Sequence, residues 1–257
     1  LVKDLHRQGF SVYILTHRGS RRALAPMGVT RRSVDQIWYQ DIPAALNAVS
    51  KHSGYSRVHW IGHGFGAQLG LGYAAIHSAY QLASLTTICG RLAVPKRDSH
   101  LGTLVQVLSA VGGADSVPKS RLERWASLWI DEMDAHGTSE NRTAPVWSRT
   151  VMNRASEDIP VDLFRQIQQW SEQGEVTADN GLVSISALLS TIACPVLHID
   201  NRGLEGGECI HEYSSVVVHE LERKLDFLMS ECCDKRVFTP MIRWIVARRR
   251  HAWRAAS

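Results

Sequence analysis

No apolar run in this sequence reaches the ~20 residues a membrane-spanning helix needs. The N-terminus shows no basic stretch leading into an apolar one with a small-residue cleavage site, so no secretory leader is read there. Charge of one sign is lacking as well. The net charge is only +4 over 257 residues, which gives no bulk electrostatic reason to bind a polyanion. Cysteine is scarce and odd in number: Cys89, Cys194, Cys209, Cys232 and Cys233. Five cysteines in a chain this long do not make a secreted disulfide framework, so a reducing cytoplasm is the expected compartment. Cys209-x-His211 with Cys232-Cys233 matches no common zinc spacing, and no metal or cofactor is expected.

What is present is an ordinary globular composition, 44% hydrophobic and 21% charged. Basic residues cluster at Arg18/Arg21/Arg22/Arg31/Arg32 and at Arg248/Arg249/Arg250/Arg254. A solvated face or a frayed tail is the first reading of such clusters. Aromatic residues are not interleaved with them in a stacking pattern, so nucleic-acid binding is not expected.

The order of elements predicts an α/β fold. "FSVYILTHRGS" (Phe10–Ser20) opens with a β-branched and aromatic run that ends in a Gly/Ser turn, and it reads as a buried strand. "SVDQIWYQDIPAALNAVSKHSG" is helical, with Ile42, Ala45, Leu46 and Val49 at helical spacing and Gly54 as the stop. "RVHWIGH", "LASLTTICG", "CPVLHID" (Cys194–Asp200) and "SVVVHEL" (Ser215–Leu221) read as further strands. "GAQLGLGYAAIHSAY" and "RVFTPMIRWIVARRR" read as helices, the first crowded with small residues that let it lie close to a sheet. Residues 98–190 read as mostly helical. Leu122, Trp125, Trp129 and Met133 form one stripe there, and Leu163, Ile167 and Trp170 form another between Pro160 and Gly174. These tryptophans pack helices together or roof a pocket. The predicted organisation is one domain with an insertion: core at 1–97, helical cap at 98–190, core again at 191–257. Its sheet should be mostly parallel, with helices on both faces.

The chemistry turns on "RVHWIGHGFGAQLGLGYAA", Arg57–Ala75, where a strand meets a helix through a tight turn of glycines. Gly62, Gly66 and Ala67 supply the small neighbours such a turn needs. With "GFSVYILTHRGS", "YQDIPAALNAV", "CPVLHID" and "LDFLMS…VFTPMIRWI" in the same order, the chain resembles the α/β-hydrolase superfamily. Within it the likeness is to lipase-like and polyhydroxyalkanoate-synthase-like members. The resemblance implies a nucleophile elbow, and it places the nucleophile at Gly64, which has no side chain to attack with. It places the acid near Leu204, where the nearest carboxylate is Glu205. In the register of "ERKLDFL" it puts Lys224 where a histidine is expected, five residues after His219. A lysine of ordinary pKa is protonated at neutral pH and takes no proton from a nucleophile. The chain is therefore expected to be a pseudoenzyme, a degenerate hydrolase that binds a small apolar or acyl ligand under the cap or scaffolds a partner. The alternative is an active ester or acyl hydrolase with relocated groups, a histidine–carboxylate pair drawn from His63, His219, Asp200 and Glu205.

The resemblance also implies strands ahead of "LVKDLHRQG", one of them lying between Phe10–Ser20 and the elbow strand. Their absence predicts a gap in the sheet, to be filled by the rest of a longer chain, by a changed strand order, or by a protein partner or second copy. The loop that helps build the oxyanion hole would be missing with them.

Overall fold

Four of the five strands read from the sequence pair side by side in the computed structural model, which describes residues 1–18, 20, 23, 33–90, 92, 116–117, 159–201, 204, 207–219, 228 and 233–249. The described elements begin with α1 (Val2–Arg7), α2 (Val34–Gln36), a π-helical turn (Ile37–Asp41) and α3 (Ile42–Ser53). Next come β1 (Val58–His63), α4 (Phe65–Ile76), β2 (Leu82–Ile88), β3 (Ser116–Val117) and β4 (Ile159–Pro160). Then follow α5 (Val161–Gln173), β5 (Thr177–Ala178), β6 (Val183–Ser184), β7 (Val196–Asp200), β8 (Tyr213–Val217) and α6 (Thr239–Ala247). The main sheet has the order β1-β2-β7-β8 and every pairing in it is parallel. β3–β4 and β5–β6 are short antiparallel pairs apart from it.

Register assigns the two faces. His59, Ile61, Ser84, Thr86, Ile88, Leu197 and Ile199 share one face, while Trp60, Leu85, Thr87, Val196, His198 and Asp200 share the other. On the first face, Ile88, Leu197 and Ile199 pack with Met241 and Ile245 of α6. On the second, Leu85 and Val196 join a cluster with Ile42 and Leu46 of α3 and Leu69, Leu71 and Tyr73 of α4. Helices thus cover both faces, and the central strands β2 and β7 are buried along their whole length, as parallel strands between helix layers should be.

Local signals explain the helices. Ser33 caps α2 by accepting from the Gln36 amide (3.5 Å), and Gly54 ends α3 in the left-handed conformation. Pro160 precedes α5, and Gly174 closes it in the left-handed conformation. The small residues of α4 do what their size predicts. A Cβ on Gly70 would stand 2.5 Å from the Trp60 indole, and one on Gly72 would stand 2.3 Å from Trp38. The aromatic rings lie against bare backbone, and the Trp38 and Trp60 indoles donate to the carbonyls of Leu69 and Gly66, both at 3.1 Å.

The stripe on α5 belongs to the core. Leu163 and Trp170 are buried in the same cluster as α3 and α4, with Ile167 packed against it. The indole of Trp170 stacks on Trp38 (centroids 5.9 Å, planes 23° apart) and donates to the Thr177 carbonyl at 2.7 Å. Gln166 accepts from the Val34 amide and donates to Asp35, both at 2.7 Å. The stripe Leu122, Trp125, Trp129 and Met133 lies outside the described residues.

One expected strand is not formed. Residues 11–16 join no strand ladder among the described residues and are exposed, with Ile14 at 82%. β-propensity is an aptitude for a half-buried pleated surface, and a strand forms only where a neighbour offers a ladder. Here the next strand, β1, is the edge of the described sheet and makes no backbone hydrogen bond to residues 11–16. The last strand sits earlier than expected, at Tyr213–Val217.

Arginines from both basic clusters are tied into the fold. Arg18 reaches Asp41 through its backbone amide, Nε and Nη2, the last at 2.6 Å. Arg248 lies over the Trp244 ring at 3.9 Å and donates to Glu212 at 2.8 Å, while Arg249 covers Phe10 and bonds the Gln8 carbonyl. Arg21, Arg22, Arg31, Arg32, Arg250 and Arg254 lie outside the described residues.

The described cysteines divide by burial: Cys89, Cys194 and Cys233 are buried, while Cys209 is exposed, and Cys232 lies outside the described residues. Burial pushes the Cys194 thiol up from 9.0 to about 12. Its thiolate forms in the unfolded chain near pH 9.0 but in the fold only near 12, so the unfolded state sheds its proton first. Stability is therefore full below pH 9.0 and falls between that value and about 12, by at most ~4 kcal/mol from this group. Urea unfolding of wild type and Cys194→Ala at stepped pH measures this. The gap between the two proteins is expected to close as pH rises through that window, and a constant gap refutes the assignment.

Candidate functional site: an elbow without a nucleophile

The turn between β1 and α4 is built from contacts that leave little freedom. Gly62, inside β1, passes so close to the first turn of α4 that a Cβ there would stand 2.3 Å from the Gly66 carbonyl oxygen and 2.6 Å from the Ala67 nitrogen. Gly90, just past β2, has the same relation to Ala67, whose Cβ would lie 2.0 Å away. These approaches fold the helix sharply back onto the strand end.

Gly64 sits at the apex. Its φ of 54° and ψ of −116° lie outside the regions that residues with side chains favour. Its amide donates to the Ile88 carbonyl at 2.9 Å, and its own carbonyl accepts from Ala67 (3.1 Å) and Gln68 (3.2 Å). A Cβ on Gly64 would meet nothing within 4 Å. The backbone thus presents residue 64 to open space in the geometry an elbow imposes on its central residue, and the residue there has no functional group.

The other candidates stand near the same end of the sheet. His63 is the last residue of β1, Asp200 is the last of β7, and His219 follows β8 by two residues. Register separates them. His63 pairs with Ile88 and Ile88 with Ile199, so His63 shares a face with Ile199, and Asp200, the next residue, turns to the opposite face. Two strand spacings, ~10 Å, also lie between β1 and β7. Asp200 is buried and His219 exposed. The Asp200 carboxylate lies 3.8 Å from Nε2 of His198, a fully buried histidine whose Nδ1 pairs with the Thr87 hydroxyl at 2.7 Å. Asp200 also accepts from the Asn201 amide at 2.7 Å.

Thr87, His198 and Asp200 form a hydroxyl, an imidazole and a carboxylate in sequence, but Thr87 and His198 are without solvent exposure, so no substrate reaches them. The Thr87 hydroxyl and His198 Nδ1 satisfy one another inside the sheet. Sequence reading passed over His198, and the signal was there: a lone histidine inside the apolar run "CPVLHID". Leu204, the position near which the acid was expected, is buried, and Glu205 and Lys224 lie outside the described residues. Among the described residues no cluster of histidine, cysteine or carboxylate side chains could hold a metal ion, and no helix is long and apolar enough to cross a membrane.

No family model matches the chain, and no curated protein sequence does. Solved structures do match. A monoacylglycerol lipase from Paleococcus ferrophilus aligns over 96% of this chain and 87% of its own, at 15% identity and a TM-score of 0.58. An esterase from Thermogutta terrifontis aligns over 90% and 78%, also at 15% identity, with a TM-score of 0.56. The esterase EaEST from Exiguobacterium antarcticum aligns over 90% and 79%, at 14% identity and a TM-score of 0.56. At such identities the likeness is one of fold alone. The chain has the α/β-hydrolase fold.

Proposed function

We propose that this α/β-hydrolase-fold protein has lost serine-hydrolase chemistry and works as a binder of a small apolar or acyl ligand at the elbow end of the sheet, or as a scaffold for a partner. The observation that carries this reading is Gly64: elbow backbone geometry is kept, with open space where a side chain would project, and there is no nucleophile. Retained architecture with the reactive atom removed favours a ligand that is held over one that is turned over. The expectation of Lys224 at the histidine position points the same way, because a protonated ammonium neither accepts the nucleophile's proton nor returns it to a leaving group.

An active enzyme with relocated groups is the weaker reading. It asks His219 or His63 to pair with a carboxylate at the elbow, Asp200 or Glu205, and for one of these pairs, His63 with Asp200, the register turns the two residues to opposite faces of the sheet.

The test is direct. The purified chain, given p-nitrophenyl butyrate and a fluorophosphonate probe, is expected to show no turnover above the uncatalysed rate and no covalent labelling. Either signal, if it persists after repurification, overturns the proposal. Gly64→Ser separates loss of the nucleophile from loss of its partners. The variant is expected to fold, at a cost of about 1–3 kcal/mol for a side chain in this backbone region. It is expected to stay unlabelled, because a serine without a base is a weak nucleophile.

A further inference from the structure

Of the five asparagines in this chain, Asn180 alone is followed by glycine. The pair lies at the tip of the β5–β6 hairpin, where Asp179, Asn180 and Gly181 have φ of 52°, 55° and 94° in turn. Asparagine and glycine tolerate that left-handed region, which is why the pair closes tight hairpins. Asn180 is exposed to solvent. The tip is nevertheless held from two sides. Its Asn180 amide donates to Oδ2 of Asp35 in α2 at 3.2 Å, and the other oxygen of that carboxylate accepts from Gln166 of α5 at 2.7 Å. One carboxylate thus clasps the hairpin and α5 together. On the α5 side, a Cβ on Gly181 would stand 2.6 Å from Nε2 of Gln169 and 2.7 Å from Nε2 of Gln173. The surroundings are already negative: burial first, and then the charges of Asp179 and Asp35, push the Tyr39 hydroxyl pKa up.

An asparagine followed by glycine carries its own chemistry. The Gly181 nitrogen forms a bond to Cγ of Asn180, since glycine has no side chain to obstruct the approach. The Cγ–Nδ2 bond breaks, and the side-chain nitrogen leaves as ammonia with the proton of the Gly181 amide. Water then opens the five-membered imide at either carbonyl. One opening gives aspartate at position 180, and the other gives isoaspartate, with the main chain running through Cγ. Water is the only co-reactant, and nothing is oxidised or reduced. Ring closure needs the Gly181 nitrogen to eclipse Cβ of Asn180, and the ψ of 32° in the closed turn is far from that arrangement. The reaction therefore proceeds when the tip opens away from Asp35.

We propose that Asn180–Gly181 is a site of self-modification, and that its conversion to a carboxylate loosens the β5–β6 hairpin and α5 from α2. The new charge stands next to Asp179 and close to the Asp35 carboxylate on which the tip is anchored, and like charges at that range repel. Isoaspartate adds a methylene to the main chain of a tight turn as well. Asp35 holds hairpin and α5 through one carboxylate, so a weaker hold at the tip is felt at Gln166. The inference is independent of whether the elbow binds or cleaves anything.

Ageing the folded chain at mildly alkaline pH, followed by peptide mass spectrometry, tests the first half. Aspartate and isoaspartate are expected to accumulate at Asn180 while Asn47 and Asn201 stay near background. Conversion at Asn180 is expected to be faster still in chain unfolded by urea, where no turn holds ψ. Asn180→Gln is expected to stay unmodified, because its longer side chain closes an imide far more slowly. The second half is read by hydrogen exchange on Asn180→Asp, which fixes the charged product. Exchange over residues 161–185 is expected to be severalfold faster than in wild type at low salt, with protection returning as salt screens the repulsion. Asn180→Gly keeps the left-handed backbone and adds no charge, so it is expected to show no such salt dependence. Conversion at Asn180 no faster than at Asn47 or Asn201 would overturn the proposal, as would exchange in Asn180→Asp that matches Asn180→Gly at every salt concentration.

Discussion

Gly62→Ala is expected to unfold much of this protein's stability margin, by about 3 kcal/mol or more, while Gly66→Ala, four residues away in the same turn, stabilises it or leaves it unchanged. Both glycines belong to the pattern that marks the elbow in the sequence, and the sequence alone treats them alike. The structure does not. A Cβ at position 62 points into the first turn of α4, 2.3 Å from the Gly66 oxygen, 2.5 Å from its carbonyl carbon and 2.6 Å from the Ala67 nitrogen. Those are backbone atoms, and the oxygen already accepts from the Trp60 indole at 3.1 Å. The helix cannot retreat without breaking that bond and the fit of Gly70 against Trp60. The gain from a stiffer unfolded chain, about 0.4–1 kcal/mol, is far too small to offset this. Gly66 has nothing within 4 Å of its would-be Cβ and lies inside a helix, where alanine is favoured over glycine by roughly 1 kcal/mol. Equilibrium urea unfolding of the two variants checks both halves. Equal effects would mean that the close approach at Gly62 is not what holds the elbow.

Much of the scaffold is legible in the sequence, because strand, elbow and helix are each marked locally. Gly54 and Gly174 stop their helices where the spacing of apolar residues predicts, and β1, β2 and β7 form where short apolar runs occur. What local signals do not carry is the requirement for a neighbour. Residues 10–16 have as much strand propensity as β2, yet β2 lies between two strands, while no described strand is hydrogen-bonded to residues 10–16. Pairings across the sheet are equally silent in the sequence. Thr87 and His198 are 111 positions apart, and only the register of β2 on β7 shows that each satisfies the other. The elbow's central residue is the opposite case. Its backbone strain follows from the turn and its missing nucleophile from the letter G, so both are visible in "GHGFG" before any coordinate is known.

The stripe on α5 leaves the sequence with two readings, packing or lid, and a tryptophan decides between them. Trp170→Ala is expected to cost 3–5 kcal/mol, as large aromatic-to-alanine changes in cores do. Trp170 is 4% exposed, stacks on the fully buried Trp38, and donates its indole N–H to the Thr177 carbonyl. Truncation removes the ring, leaves a cavity against Trp38, and strips a buried carbonyl of its donor, three losses that add in one direction. Trp38 in turn sits in the fit with Gly72, so the cavity opens beneath α4. A lid residue would behave otherwise: its loss would change ligand affinity or exchange rate and leave the unfolding midpoint nearly in place. Trp170→Phe separates the parts, since phenylalanine keeps most of the stacking surface but not the N–H, and its cost is expected to be about 1–3 kcal/mol, the penalty for the orphaned carbonyl. A midpoint unmoved in Trp170→Ala would return α5 to the role of a roof.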